Sequence, residues 1–382
     1  MKELKPIIPA RIRQARESRK LSLSDLAVRI DVTKQAISQY ETGKARPSDA
    51  ILNRISAVLK YSPDFFRMPM PISNSIASGA FFRSGKTAAA KDTKAMEAKM
   101  GILRQITEYL SQYVEFPTPN LPDVYYDNDP EPLSPEDIES LAMALRKHWG
   151  IGNGPILNLM NIVQKNGIIV SSTKFDASKI DGLSELYDQV PYIFMSTTKE
   201  SSCRIRFGIA HELCHLYLHA GNVTEEEIRN NDIHAMLEKE ANMFAGAFLL
   251  PKETFSKDVI STSLDYFIQL KAKWRVSIAA MIYRCETLRL LTGNQIRYLK
   301  EQMTRRGYWR SEPLDSGIPI ETPFLFKQAL DLLFDGGILT PEEFVYETAI
   351  RSEELEEYCC LPPGTLDVKG PDNIVQLRPI ST

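Results

Sequence analysis

Arg204 to His219 reads RIRFGIAHELCHLYLH, an apolar run of helical length that carries His211, Glu212 and His215. Positions four apart share one face of a helix, so the two imidazoles stack one above the other with Glu212 beside them. Ile209, Ala210, Leu213, Leu216 and Leu218 surround these groups. A helix this apolar belongs in a core, and buried imidazoles and carboxylates are costly unless they are paired or hold a metal ion. Whatever fold the chain adopts must close around this helix and bring complementary groups to it. The H-E-x-x-H order suits a zinc site in which two histidines grip the ion and the glutamate faces its open coordination position. An ordinary half-buried helix with incidental polar residues competes for the five residues alone, and the apolar flanks weigh against it.

Such a site needs a third protein ligand. His219 lies two turns beyond His211 and cannot close around the same ion. The segment Leu237 to Leu250 predicts a return helix, EKEANMFAGAFLLP at its core, with Glu238 and Glu240 among small residues that permit close helix packing. Glu240 is the preferred third ligand, with Glu238 and His234 as competitors. Tyr217, His219 and Arg206 are candidate donors to an oxyanion, and spacing does not choose among them. Val190 to Thr197 predicts a strand, either an ordinary member of a sheet or, as a sheet edge near the metal helix, one that would align an extended substrate.

RIRFGIAHELCHLYLH, EANMFAGAFLLP and KWRVSIAAMIYR together resemble the ImmA/IrrE family of metallopeptidases, over most of residues 60 to 290. The resemblance implies a zincin-like domain in which His211, His215 and Glu240 hold the metal and Glu212 is the general base. It implies Zn2+ as cofactor, with Mn2+ as the alternative for the same ligand set. Cys214 departs from the family, which usually has glycine there. A buried thiol packed away from the metal is the favoured reading, and an inhibitory or redox-sensitive ligand is the other.

The N-terminus carries a second pattern. Ser22 to Ile30 and Thr33 to Thr42 predict two short helices joined at Asp31-Val32, which is helix-turn-helix spacing. VTKQAISQYETGKARPS resembles the Xre/Cro repressor family. By that resemblance Lys34, Gln35, Ser38 and Gln39 face base edges, while Lys44 and Arg46 meet phosphates. Leu23 departs from relatives that present a glutamine to the backbone there. Charge agrees with DNA binding: residues 1–62 carry 13 Lys and Arg against 6 Asp and Glu, and the remainder 33 against 43.

A length of 382 residues with 43% apolar and 25% charged content is ordinary for a globular chain of several domains. No apolar run is long enough to span a bilayer, and MKELKPIIPARIRQ lacks a signal-peptide core, so a cytoplasmic location is expected. Five cysteines without paired C-x-x-C spacing indicate neither a disulfide framework nor a structural zinc site. The expected architecture is multidomain: an all-α helix-turn-helix domain over 1–62, a linker and helical arm over 63–134, an α+β zincin-like peptidase domain over 135–292, and a helical C-terminal region over 293–382. Pro117 to Pro135 reads either as a mobile arm or as a strap across the peptidase.

These readings converge on a DNA-binding, zinc-dependent endopeptidase that regulates transcription. Its expected partners are a double-stranded DNA operator and a repressor or antitoxin-like protein substrate, in a stress or prophage response, with a homodimer reading paired half-sites. A second reading, motivated by Cys214, is a metal- or redox-sensing regulator whose peptidase-like domain does not turn over. A third is a toxin component whose helix-turn-helix captures an antitoxin.

Overall fold

The computed structural model describes residues 5–70, 78–84, 90–124, 132–173, 180–196 and 201–367. The chain divides into two compact units. One comprises Met1–Arg16, Leu23–Met70 and Phe326–Thr382, the other Glu17–Ser22 and Pro71–Leu325. Among the described residues no helix is long and apolar enough to cross a membrane.

The first unit begins with α1 (Pro9–Ser18), α2 (Leu23–Arg29), α3 (Lys34–Glu41) and α4 (Asp49–Leu59), followed by a 3-10 turn over Pro63–Arg67. Thr33 and Ser48 start α3 and α4 by accepting the N–H of Ala36 and Ile51, which satisfies amides that a helix start otherwise leaves unpaired. Leu26, Ile37, Leu52, Ile55 and Leu59 form the core. Arg16 makes two hydrogen bonds, of 2.6 and 2.8 Å, to the buried carboxylate of Glu41.

In the second unit a four-stranded sheet runs in the order β1-β3-β4-β2, with β1 (Ser78–Ser84), β2 (Ile169–Thr173), β3 (Ile180–Tyr187) and β4 (Val190–Ser196). β3 pairs antiparallel with both β1 and β4, and β4 pairs parallel with β2. β4 is therefore interior, which is the ordinary sheet strand of the two sequence readings and not the substrate-aligning edge. A two-residue turn, Asp188-Gln189, joins β3 to β4 with both residues at positive φ, the backbone that matches strand twist in a tight hairpin.

Side chains alternate across a sheet, which gives β3 two different faces. On one, Glu185 pairs with Arg104 of α5 (Ala90–Leu110) at 3.1 Å. The other faces the central helix α8 (Ser202–Cys214). Between these elements in sequence come α6 (Pro135–His148) and α7 (Leu159–Lys165). After α8 follow α9 (Glu225–Arg229), α10 (Asn231–Leu249), α11 (Lys252–Asp258), α12 (Leu264–Trp274), α13 (Ile278–Thr287) and α14 (Gly293–Arg305). One apolar core joins α6, α7, α8, α10, α12, α13 and α14 to β2 and β4, through residues such as Leu145, Val163, Ile193, Leu213, Phe244, Phe267, Met281 and Leu299.

The described part of 117–135 is a strap. Asn120 N–H donates to the Asn166 carbonyl at 2.9 Å, and the Trp149 indole donates to the Asn120 carbonyl at 2.7 Å. Gly167, at φ +80°, lies so close to Thr118 and Pro119 that a β-carbon there would sit 2.4 Å from their backbone. The acidic stretch at Asp123–Glu131 falls mostly outside the described residues.

The C-terminal region is not one body, which corrects the 293–382 boundary. Residues 293–325 belong to the sheet-bearing unit: Lys271 is buried against Glu312 and Asp315, and Arg206 pairs with Glu321. α15 (Leu325–Asp335), α16 (Pro341–Thr348) and α17 (Ser352–Tyr358) fall almost wholly in the first unit. There the Tyr61 hydroxyl meets Glu354 Oε1 at 3.1 Å, and the Ser62 hydroxyl donates to the Ala349 carbonyl at 3.3 Å. Residues 71–134 of the expected arm likewise join the 135–292 domain, because β1 pairs with β3 in the sheet and α5 packs against β3.

Candidate metal centre

α8 is buried along nearly its whole length, as its composition requires. Its continuation, His215–His219, is a π-helical turn in which the Ala220 N–H donates to the His215 carbonyl five residues back, at 2.7 Å. Wider turns of this kind occur at functional positions within helices. The result is a ladder of three imidazoles: ring centroids are 4.9 Å apart for His211 and His215, and 5.0 Å for His215 and His219.

Glu238 of α10 completes a group with the first two rings. His211 Nε2 and His215 Nε2 are 3.2 Å apart, and the Glu238 carboxylate oxygens lie 3.5 and 3.4 Å from them. Donors held about 2.0–2.1 Å from a tetrahedral zinc ion are separated by about 3.3–3.4 Å, so these spacings fit one ion. His211, His215 and Glu238 form the metal-type cluster found among the described residues. Burial holds His215 neutral, its pKa lowered to about 4 against the opposing pull of Glu238, and neutral imidazole is the ligating form. Burial alone would raise Glu238. Hydrogen bonds with His211 and His215 outweigh this and hold it well below the usual carboxylate range.

Glu240, expected as the third ligand, is elsewhere. Residues two apart on a helix project about 200° from each other, so Glu238 and Glu240 cannot serve the same point. The Glu240 carboxylate meets His219 Nε2 at 3.1 Å and accepts the Leu133 N–H at 2.8 Å. Glu240 is the more buried of the two, and Glu238 keeps 21% of its side chain exposed. His234 is half-buried on α10 and lies outside the cluster.

Glu212 is fully buried beside the rings. The Ser184 hydroxyl of β3 donates to its Oε2 at 2.7 Å. Gly182, on the same face of β3, leaves the room that Glu212 occupies: a β-carbon there would lie 2.9 Å from Glu212 Oε1 and 2.9 Å from Met195 Sδ. Sequence reasoning missed both residues because it missed the strand.

The other candidates separate cleanly. Arg206 is spent on Glu321 and on the carbonyls of Ile156 and Arg275, and His219 on His215 and Glu240. Tyr217 is buried against Phe244. Cys214 is part of the apolar core and outside the ligand cluster. Burial, reinforced by the charges of Glu240, Glu238 and Glu212, pushes its thiol well above the usual value and disfavours a thiolate.

On the first unit, Lys34 and Gln35 are exposed at the start of α3, Ser38 and Gln39 are half-buried along it, and Lys44 and Arg46 are exposed just beyond. Ile37 and Glu41 form the inward side.

Residues 163–286 match the family model of the IrrE N-terminal-like domain, assigned to the M78 peptidases, and residues 12–66 match that of a helix-turn-helix. The first match takes in β2 to β4, α8 and α10, hence every residue of the cluster; the second takes in α2 to α4. Vegetative-specific protein H7 of Dictyostelium discoideum is 37% identical over 57 residues, which are 15% of this chain and 55% of that protein. The chain thus spans about half the length of this curated relative.

Proposed function

We propose that this chain, in which a helix-turn-helix domain precedes an IrrE-like peptidase domain, is a DNA-binding regulator of transcription that acts as a metal-dependent endopeptidase on a repressor or antitoxin-like protein. The observation that carries the proposal is the convergence of His211 Nε2, His215 Nε2 and a Glu238 oxygen at single-ion spacing, with Glu212 held beside them by Ser184. A divalent ion in that group, zinc by donor chemistry or manganese, would acidify a water and polarise the scissile carbonyl. Glu212 takes the proton of the attacking water and returns it to the leaving amide nitrogen. Ser184 anchors that carboxylate through Oε2. Lys34, Gln35, Ser38 and Gln39 would read base edges of a double-stranded operator, with Lys44 and Arg46 on phosphates. Two chains on paired half-sites would act as a homodimer.

The test is incubation of the purified chain with repressors encoded beside its own gene, followed by mass spectrometry of the products. Wild-type protein is expected to cut one of them at a defined bond. Glu212→Gln should slow the cut by at least about a hundredfold while its bound metal is retained. Cleavage by Glu212→Gln at the wild-type rate would remove the catalytic assignment.

A further inference from the structure

Behind the ligand cluster, four groups lie in line: His215 Nδ1 is 2.8 Å from His219 Nδ1, His219 Nε2 is 3.1 Å from Glu240 Oε2, and Glu240 Oε1 accepts the Leu133 N–H at 2.8 Å. His215, His219 and Glu240 are all buried. The direction of the protons follows from the far end. A carboxylate only accepts, so His219 Nε2 must carry hydrogen. In a neutral ring Nδ1 is then the acceptor, and the proton between the two histidines belongs to His215 Nδ1. His215 Nε2 is left with its lone pair turned toward His211 and Glu238. The opposite arrangement sets two acceptors against each other at Glu240 and protonates the very nitrogen that faces the cluster.

We infer that His219 and Glu240 are positioning residues: a Glu240–His219–His215 relay fixes the tautomer and the ring orientation of His215 and so sets the affinity of the cluster for its metal. The inference rests on the metal-site reading above. The π-helical turn belongs to the device, since it keeps the His219 ring within 5.0 Å of His215. Leu133, immediately before the cap of α6, ties the end of the relay to the strap. Hydrogen-bond partners behind a ligating histidine commonly govern metal affinity 10–100-fold, and here the partner is a second histidine with a carboxylate behind it.

The experiment is titration of the metal-free full-length chain with Co2+, reading the visible ligand-field spectrum and the dissociation constant by chelator competition. His219→Phe keeps a ring in the space and removes both hydrogen-bonding atoms; it should weaken Co2+ binding about 10–100-fold and alter the spectrum. His219→Gln offers an acceptor to His215 and a donor to Glu240, and should recover most of the affinity. Glu240→Gln, left with one acceptor oxygen for both His219 and Leu133, should also bind more weakly. Wild-type affinity and spectrum in His219→Phe, or a His219→Gln as impaired as His219→Phe, would overturn the relay. If His219→Phe does not fold, the comparison of Glu240→Gln and His219→Gln with wild type decides: equal affinity in all three overturns the inference. A wild-type chain that binds no Co2+ fails the metal-site reading itself, whereas binding that is indifferent to the relay variants fails the relay alone.

Discussion

Gly182 and Ser184 share a face of β3, and both serve Glu212: one by leaving space, the other by donating a hydrogen bond. Neither favours a strand, and places where local preference is broken are often functional. Gly182→Ala is expected to push Glu212 or Met195 aside. Because misplacement of a reacting group by about 1 Å can cost a hundredfold, peptide cleavage should fall about 10–100-fold. Metal affinity should stay at the wild-type level, since Gly182 touches none of the three ligands; steady-state kinetics beside a metal titration separates the two. At this scale the sequence singled out His211, Glu212 and His215, which the structure places together, because a four-residue spacing on an apolar helix admits few arrangements. It did not distinguish Glu238 from Glu240. Both stand among small neighbours, and the structure sets Glu238 on the two rings although it keeps the more exposed side chain of the two.

Among the elements, α2, α3, α8 and α10 were legible because their apolar spacing is helical. β3 was not. Its turn to β4, Asp188-Gln189, adopts positive φ without glycine or asparagine, and its sequence IDGLSELY lacks β-branched residues after the first. The stretch Pro341 to Tyr358 is two helices, α16 and α17, because Ala349 turns left-handed at φ +54°, a conformation alanine gives no hint of. Element placement also depends on buried charge. Lys271 of α12 donates to Glu312 and Asp315 at 2.7 and 2.6 Å, and Asp315 also accepts from Ser201 at the start of α8. Lys271 keeps Glu312 when Asp315 is removed, so the loss is that of charge-assisted hydrogen bonds and not of an unpaired buried charge, and Asp315→Ala should destabilise the sheet-bearing unit by about 1–3 kcal/mol. Burial would raise the Asp315 pKa, but the hydrogen bonds from Lys271, the Glu312 N–H and Ser201 lower it below the usual 3.8. A lowered carboxylate stabilises fully above its unfolded value and loses that contribution as pH falls through the native one. Burial would lower Lys271, and its two carboxylates raise it above 10.5 instead, so its share is lost only as pH climbs past that value. The stability gap between wild type and Asp315→Ala, from denaturant melts, should therefore be flat from about pH 5 to about pH 9 and close on the acid side.

At the scale of the whole molecule, the order of the parts was readable from charge and motif: a basic helix-turn-helix first, then a peptidase-like domain. The boundaries were not, because the contacts that define a compact unit are distant in sequence. Tyr61 meets Glu354 in one unit, and β1 meets β3 in the other. A regulator built this way needs a metal centre assembled wholly within the sheet-bearing unit, and His211, His215 and Glu238 all lie there. The most direct measurement is an anomalous difference map, at the zinc edge, from a crystal of the full chain grown with zinc. The expected result is one strong peak about 2 Å from His211 Nε2, His215 Nε2 and a Glu238 oxygen, with Glu240 remaining on His219. A peak coordinated by Glu240 in place of Glu238, or no peak between the two histidines, would contradict it.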